Sequence, residues 1–328
     1  MQDDVALFEE LTQVHQQLLE RIGVKIVGQR RVVEQMLIAL FARGHCLFIG
    51  VPGLAKTLLV NTTAEVIGLN FSRVQFTPDL MPADITGTEV LEEDRATGRR
   101  SMRFIQGPIF TNMLLADEIN RSPPKTQAAL LQAMQEREVT AAGTTHVLQP
   151  PFQVFATQNP IEQEGTYILP EAELDRFMFS IEVGYPSAEE EVEIVERTTT
   201  GLEQEIEPVL TREKLLAFQD LVCRIPTSRE INRYAVALAR ASRPDANSPD
   251  FVREWVQWGA GPRASQYLSL GARVRAALQG REVTDFQDVR AVAHAVLSHR
   301  IVRNFKAEAE GVEMSQIVGR LLEVVERP

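Results

Sequence analysis

Apolar residues recur at helical spacing near the start of the chain, gather in short unbroken blocks through its middle, and return to helical spacing over its last third. Leu7, Leu11, Val14, Leu18 and Ile22 share one face of a helix predicted over residues 5–22. Ile26-Val27-Gly28-Gln29 reads as a short apolar turn, and Val32, Val33, Met36, Leu37, Leu40 and Phe41 mark a second helix over 29–43. Cys46-Leu47-Phe48-Ile49 is short enough for a buried strand, and the spacing over 58–67 suits a helix. Phe71 to Phe76 alternates as a strand, Met113 to Asp117 is an apolar run ending in an acid, and Phe152–Thr157 and Phe177–Ile181 are two further short strands. Between them Lys125 to Glu138 predicts a helix, with Ser122 as its cap and proline near its first position. Strands that alternate with helices imply a mostly parallel sheet covered on both faces.

Two polar hairpins interrupt this α/β pattern, over about 89–105 and 139–148. Residues 77–88 read as loop with a short helix. After Tyr185-Pro186 the patterning turns helical: 187–198, 211–224, 228–242, 249–257, 263–278, 284–299 and one more helix beyond Gly311. The predicted organisation is therefore an α/β core over 1–186, a linker over 187–208 and a helical domain over 209–328.

Composition narrows the setting. The chain has 328 residues, 44% hydrophobic and 24% charged, which is ordinary for a globular protein. A net charge of −11 argues against a general nucleic-acid surface, although Arg95, Arg99, Arg100 and Arg103 make the first hairpin locally basic. Cys46 and Cys223 read as reduced thiols used for packing, which suits a reducing, cytoplasmic setting. The acidic start Met1-Gln2-Asp3-Asp4 does not read as a signal peptide, and no apolar stretch approaches the length of a membrane span.

The chemistry centres on Gly50-Val51-Pro52-Gly53-Leu54-Ala55-Lys56-Thr57, set between a predicted strand and a helix opening at Leu58. Strand, glycine-containing loop, Lys-Thr and helix form a phosphate-binding P-loop: glycines let the backbone turn its N–H groups onto one anion, and the helix N-terminus adds positive potential. Lys56 would reach the β- and γ-phosphates of ATP, and Thr57 would offer its hydroxyl to Mg²⁺. Ala55 stands where the general pattern has glycine, and alanine suits that place if its backbone is already helical. Asp117 and Glu118 follow Lys56 by 61 and 62 positions. An acid ending a neighbouring buried strand can hold Mg²⁺ directly or through water, and the next one can polarise the attacking water. Asn159 ends the next strand, where an amide can hold that water or touch the γ-phosphate. Arg176 precedes the last strand of the series; it could meet transition-state charge, or simply pair with Asp175 or Glu173. Arg263 falls in the first turn of a helix, a place the helix dipole disfavours for a cation unless an anion lies nearby. The five histidines show no metal-ligand spacing with the cysteines.

Together these elements resemble the AAA+ ATPases, and within them the MoxR family. The specific pieces are Gly50 to Thr57 with its Ala55, Leu114-Leu115-Ala116-Asp117-Glu118-Ile119-Asn120-Arg121, Pro124 to Glu136, Ala156-Thr157-Gln158-Asn159-Pro160 and Leu169-Pro170-Glu171-Ala172-Glu173-Leu174-Asp175-Arg176-Phe177. The resemblance implies a three-layer AAA+ core with sheet order 5-1-4-3-2 and an all-helical lid. It implies that Lys56 and Thr57 are Walker A residues, Asp117 and Glu118 the Walker B pair, Asn159 sensor 1, Arg176 an arginine finger acting on the neighbouring subunit, and Arg263 the sensor-2 arginine of the lid. It places Val27 at the adenine pocket and keeps Arg121 as a second arginine-finger candidate. It further implies ATP and Mg²⁺ as ligands, a homo-oligomeric ring of the hexameric kind usual in the superfamily, and chaperone-type work on a partner with a von Willebrand A-type domain or on a client enzyme. The alternatives are the motor subunit of a metal chelatase, which shares the hairpin inserts, and a nucleic-acid motor using the Arg95–Arg103 hairpin.

Overall fold

The computed structural model describes residues 2–93, 100–141, 143–161, 165–199 and 206–326. Two helices lead in, α1 (Gln2–Lys25) and α2 (Arg30–Phe41), followed by β1 (Cys46–Ile49), α3 (Lys56–Ile67), β2 (Phe71–Gln75) and α4 (Pro82–Thr86). The first hairpin is β3 (Gly87–Glu93) with β4 (Arg100–Gln106); Arg95, Arg99 and the tip between them lie outside the described residues. Then come β5 (Met113–Asp117), a 3-10 turn at Ile119–Arg121, α5 (Pro124–Glu136), the second hairpin β6 (Glu138–Ala141) and β7 (Thr144–Val147), β8 (Gln153–Gln158), α6 (Glu171–Leu174) and β9 (Phe179–Glu182).

The main sheet runs β2-β5-β8-β1-β9, with all of its neighbours parallel. Counting only its five strands in chain order gives 5-1-4-3-2, the order the resemblance implies. The period-2 alternation of a strand sorts the core into two layers. Phe48, Leu115 and Phe155 join the layer formed with α1, α2 and α3, whereas Leu47, Leu114 and Val154 join the layer that holds Leu130 and Met134 of α5. Burial on both faces explains why these strands read as unbroken apolar runs. The two hairpins touch through Phe104 and His146, whose rings stack 4.2 Å apart.

The remaining helices are α7 (Ala188–Thr198), α8 (Arg212–Arg224), α9 (Arg229–Ala241), α10 (Asp250–Trp255), α11 (Pro262–Leu278), α12 (Phe286–Leu297), α13 (Phe305–Ala309) and α14 (Met314–Val324). Leu268 and Val296 of this lid share the apolar layer of Phe48 and Phe179, so the lid is packed along the β9 side of the core.

The helix expected over 187–198 is present as α7, capped by Ser187, whose hydroxyl accepts from the Glu190 N–H. Three local expectations change. The lid is helical except for a short antiparallel ribbon of β10 (Val256–Trp258) and β11 (Val302–Arg303). The cap of α5 is Pro123, not Ser122: with prolines at 123 and 124, Ser122 instead ends the 3-10 turn and its hydroxyl is buried without a partner. Cys46 is buried as expected, but Cys223 is exposed on α8 and not part of the buried core.

Candidate nucleotide site

The P-loop follows β1 at the carboxyl edge of the sheet. Gly50 is required there by close approach: a Cβ would stand 2.6 Å from the Val183 carbonyl oxygen. Gly53 takes φ +85°, in the left-handed region that glycine enters at little cost. Ala55 takes φ 55° and ψ 22°, also left-handed. The expectation of helical dihedrals at Ala55 is therefore wrong. The residue stands outside α3, and its Cβ accepts the conformation that glycine adopts freely elsewhere. No acidic residue occupies the first turn of α3 and no side chain caps it, so its leading N–H groups face the loop unneutralised.

A cavity of about 430 Å³ opens over this loop. Its walls include Pro52, Gly53, Leu54, Ala55, Lys56, Thr57 and Leu58 from the loop and α3, Arg73 and Gln75 from β2, Asp117 and Glu118 from the end of β5, and Thr157 and Asn159 from the end of β8. Adjacent parallel strands bring their carboxyl ends to one edge, which is why residues far apart in sequence meet here. Lys56 is half-buried, and its ammonium group donates to the carbonyls of Gly50 and of Val51, the latter at 2.9 Å. Burial lowers its proton affinity, and the nearby charges of Asp117 and Glu118 oppose that.

Asp117 is held on both oxygens. Thr157 Oγ1 donates to its Oδ1 at 2.6 Å, while Arg73 donates from Nη2 at 2.6 Å and from Nε at 3.1 Å to its Oδ2. Glu118 has a left-handed backbone, φ 55° and ψ 50°. Its Oε2 accepts from Gln75 Nε2 at 2.8 Å and from Arg121 Nη1 at 3.0 Å. Arg121 thus lies at Glu118 of its own chain. Asn159 is buried, and its Oδ1 accepts from the Ile161 N–H at 3.1 Å, which fixes the amide at the cavity wall.

Neither Arg176 nor Arg263 is among the described residues that line this cavity. Arg263 Nη1 donates to Asp175 Oδ2 at 3.0 Å. Met178 N donates to the carbonyl of His45, so Asp175 and Arg176 sit beyond the amino end of β9, whereas the P-loop leaves the carboxyl end of β1. Cys46 pairs with Phe179 and Ile49 with Glu182, which puts roughly 10 Å of strand between the two levels. An Arg263 that reaches its own P-loop is therefore not what the structure contains: α11 begins at the other end of the sheet. Arg176 pairs with neither Asp175 nor Glu173. Asp175 is shared by Arg263 and Arg300, and Glu173 Oε2 is buried without a hydrogen-bond partner. Burial raises the Glu173 carboxyl, against the pull of Arg176. Val27 is half-buried and lines a separate cavity of about 520 Å³ between α1, Gly28 and α7. Gln29, two residues on, donates to the carbonyl of Leu54 and so ties that turn to the P-loop.

Motif reading passes over Arg73, Gln75 and Arg300, and it includes Thr157 and Asp175 without the contacts they make here. Arg73 and Gln75 carried a signal: two positions apart on an alternating strand, they share a face, and β2 ends beside β5.

The residues present fit the Mg²⁺ that the fold implies: the Asp117 carboxylate and the Thr57 hydroxyl line one cavity beside the phosphate loop. The guanidinium of Arg73 shows that the Asp117 carboxylate already accepts a cation on its cavity side. Among the described residues no cluster of three or more histidines, cysteines and acids offers a rival metal site.

Comparison with known proteins agrees with this geometry. Residues 45–179 match the model described as ATPase family associated with various cellular activities, and residues 250–321 match an AAA lid domain. The chain is 45% identical over 304 residues to Chaperone MoxR1 of Mycobacterium tuberculosis, covering 92% of this chain and 79% of that protein. It is 34% identical over 321 residues to Protein MoxR of Methylorubrum extorquens, covering 93% and 91%. The crystal structure of a putative ATPase from Cytophaga hutchinsonii superposes with a TM-score of 0.92 at 37% identity, covering 100% of this chain and 98% of that one. Among the described residues no helix is long and apolar enough to cross a membrane. With a matching family model and relatives of this identity and extent, the chain belongs to the MoxR family of AAA+ ATPases.

Proposed function

We propose that this ATPase is a Mg²⁺-dependent, ring-forming remodelling motor in which each subunit supplies Arg176 and Arg263 to the nucleotide of its neighbour. The observation that carries the reading is the separation of the two halves of the chemistry. Lys56, Thr57, Asp117, Glu118 and Asn159 converge on one cavity, while Arg176 and Arg263 gather around Asp175 at the other end of the sheet. A site whose own lid arginine faces away is complete only when another subunit brings a cation to it. A closed ring, of six subunits in the usual superfamily form, satisfies that for every site at once.

In this reading Lys56 and the N–H groups of the P-loop would bind the phosphates, and Thr57 and Asp117 would hold the metal, which would supply positive charge against the phosphates. Asn159 orients the attacking water and Glu118 accepts its proton once its carboxylate leaves Gln75 and Arg121. The work is done on a partner protein, a client enzyme or a von Willebrand A-type protein in the cytoplasm, through the linked hairpins. The nucleic-acid alternative loses support because Arg100 pairs with Glu93 at 3.1 Å and Arg103 with Glu92 at 3.2 Å, which offsets the hairpin's positive charge.

A steady-state assay tests the first half. Glu118→Gln should bind ATP and hydrolyse it at least about 100-fold slower, the scale of losing a general base. Near-normal turnover would remove Glu118 from that role. Mixing tests the second half: Arg176→Ala subunits should regain turnover when combined with Glu118→Gln subunits, which still carry Arg176. No recovery at any ratio, with subunit exchange shown independently, would overturn action across the interface.

A further inference from the structure

Arg73 is the cation that already occupies the cavity side of Asp117, and it does not act on Asp117 alone. Its Nη2 also donates to Gln75 Oε1 at 2.6 Å, and Gln75 in turn donates to Glu118 Oε2 at 2.8 Å. The register of β2 against β5 sets this up: Gln75 lies opposite Asp117, and Arg73 lies on the same face one pleat back. One continuous chain of hydrogen bonds therefore joins the carboxylate assigned to the metal to the carboxylate assigned to the water.

We infer that Arg73 is a positioning residue that competes with Mg²⁺ for Asp117 and, through Gln75, couples metal loading to the release of Glu118. The inference rests on the proposed ATP site. A divalent cation entering at Asp117 Oδ2 brings two positive charges to an oxygen that one guanidinium now holds, so Arg73 must withdraw. Its withdrawal removes the donor that orients Gln75, and Gln75 is one of the two groups that hold Glu118 away from a water. Glu118 then becomes available when metal and nucleotide arrive together, which limits idle hydrolysis. Arg73 is about half exposed, so its hold on Asp117 is weak enough for a metal to break.

The test uses the full chain and a fluorescent ADP analogue whose binding is followed with and without Mg²⁺. In Arg73→Met, half-saturating Mg²⁺ should fall about 3- to 10-fold, the range expected for removing one partly exposed competing ion pair. Binding of the analogue in EDTA should stay within about twofold of wild type, because Arg73 is assigned to the carboxylate and not to phosphate. Gln75→Met should lower half-saturating Mg²⁺ by a smaller factor, since it loosens the chain but leaves the competing cation in place. Weakened binding in EDTA for Arg73→Met would overturn the inference by making Arg73 a phosphate ligand. An unchanged Mg²⁺ requirement in Arg73→Met would overturn the competition, and an unchanged one in Gln75→Met the coupling. Arg73→Lys, which keeps the charge and loses the second donor, should fall between wild type and Arg73→Met, and it serves if the methionine variant does not fold. Failure of wild type to bind the analogue under any condition would strike the ATP site itself, a different result from any of these.

Discussion

Arg300 Nε donates to Asp175 Oδ1 at 2.7 Å, and through that contact a buried lid arginine holds the residue immediately before Arg176. The same guanidinium donates to the carbonyls of Asp175 at 2.9 Å, Phe177 at 2.5 Å, Met178 at 3.2 Å and Val296 at 2.5 Å. With only 6% of its surface exposed, Arg300 clamps the carbonyls of Asp175, Phe177 and Met178, on both sides of Arg176, onto α12. Arg263 holds the other carboxylate oxygen of Asp175 from α11. A rotation of the lid relative to β9 therefore has to carry the Arg176 segment with it or break this clamp. That gives the lid a physical connection to the arginine proposed to act on the neighbouring nucleotide.

The two arginines differ in what their loss should cost. Arg300→Met leaves buried carbonyls without donors and Asp175 with half its partners, and a buried pair broken on one side costs about 3–5 kcal/mol. Arg263 is 37% exposed in its side chain, and an ion pair of that kind is worth below about 1 kcal/mol. Urea unfolding should therefore show a large fall in midpoint for Arg300→Met and a small one for Arg263→Met. Yet Arg263→Met should still lose most ATPase activity. Equal losses of stability in the two variants would mean that Arg300 is not the structural clamp described.

Much of the core could be read from the chain, because β1 and β5 are short apolar runs, β2 alternates, and the loop residues Lys56, Thr57, Glu118 and Asn159 at the carboxyl edge belong to short motifs. Lys56, Thr57, Asp117, Glu118 and Asn159 meet as expected because a parallel sheet sends all its carboxyl ends to one side. What could not be read depended on side chains that find partners across the fold. Arg263 was legible as a cation at a helix start, but only packing of α11 against β9 decides which end of the sheet it faces. Arg300 lies just past a helix end with no motif around it, and its role follows from burial alone. Ala55 was misread for a related reason: the conformation of a single loop residue is set by the whole turn.

Arg121 and Arg176 are the two candidates for the proposed arginine that crosses the interface, and their surroundings predict different behaviour in mixed rings. Arg121 Nη1 bonds to Glu118 of its own chain at 3.0 Å, so its defect should stay with the subunit that carries it. Any change in turnover caused by Arg121→Ala should persist when it is mixed with Glu118→Gln, since the altered group lies in the subunit that hydrolyses. Arg176→Ala mixed in the same way should recover. Turnover measured across a series of mixing ratios distinguishes them, and recovery with Arg121→Ala would reverse the assignment.

Acid should destabilise the fold before it reaches the range of ordinary carboxylates. His45 is buried beneath the amino end of the sheet: its Nδ1 accepts from the Val154 N–H at 2.9 Å, and its Nε2 faces the carbonyl of Met134 at 3.3 Å, so the neutral ring fits both. Burial pulls its pKa down to about 4 from 6.5, and the charge of Arg137 adds to that while the Met134 carbonyl opposes it. Burial also lowers His15 and, together with Arg300, lowers His299. Each of these rings binds a proton more readily in the unfolded chain, so the unfolded state takes up protons as pH falls below 6.5 and stability drops. The effect is absent above pH 6.5 and, for His45, complete near pH 4, where it amounts to about 3 kcal/mol at 1.36 kcal/mol per unit. Urea midpoints taken between pH 7.5 and about 4.5 should therefore decline steadily with acidification. Over the same window the NMR signal of the His45 ring should show no titration near pH 6.5. A ring that titrates there in the folded protein, or a midpoint that holds level down to pH 5, would contradict a buried neutral His45.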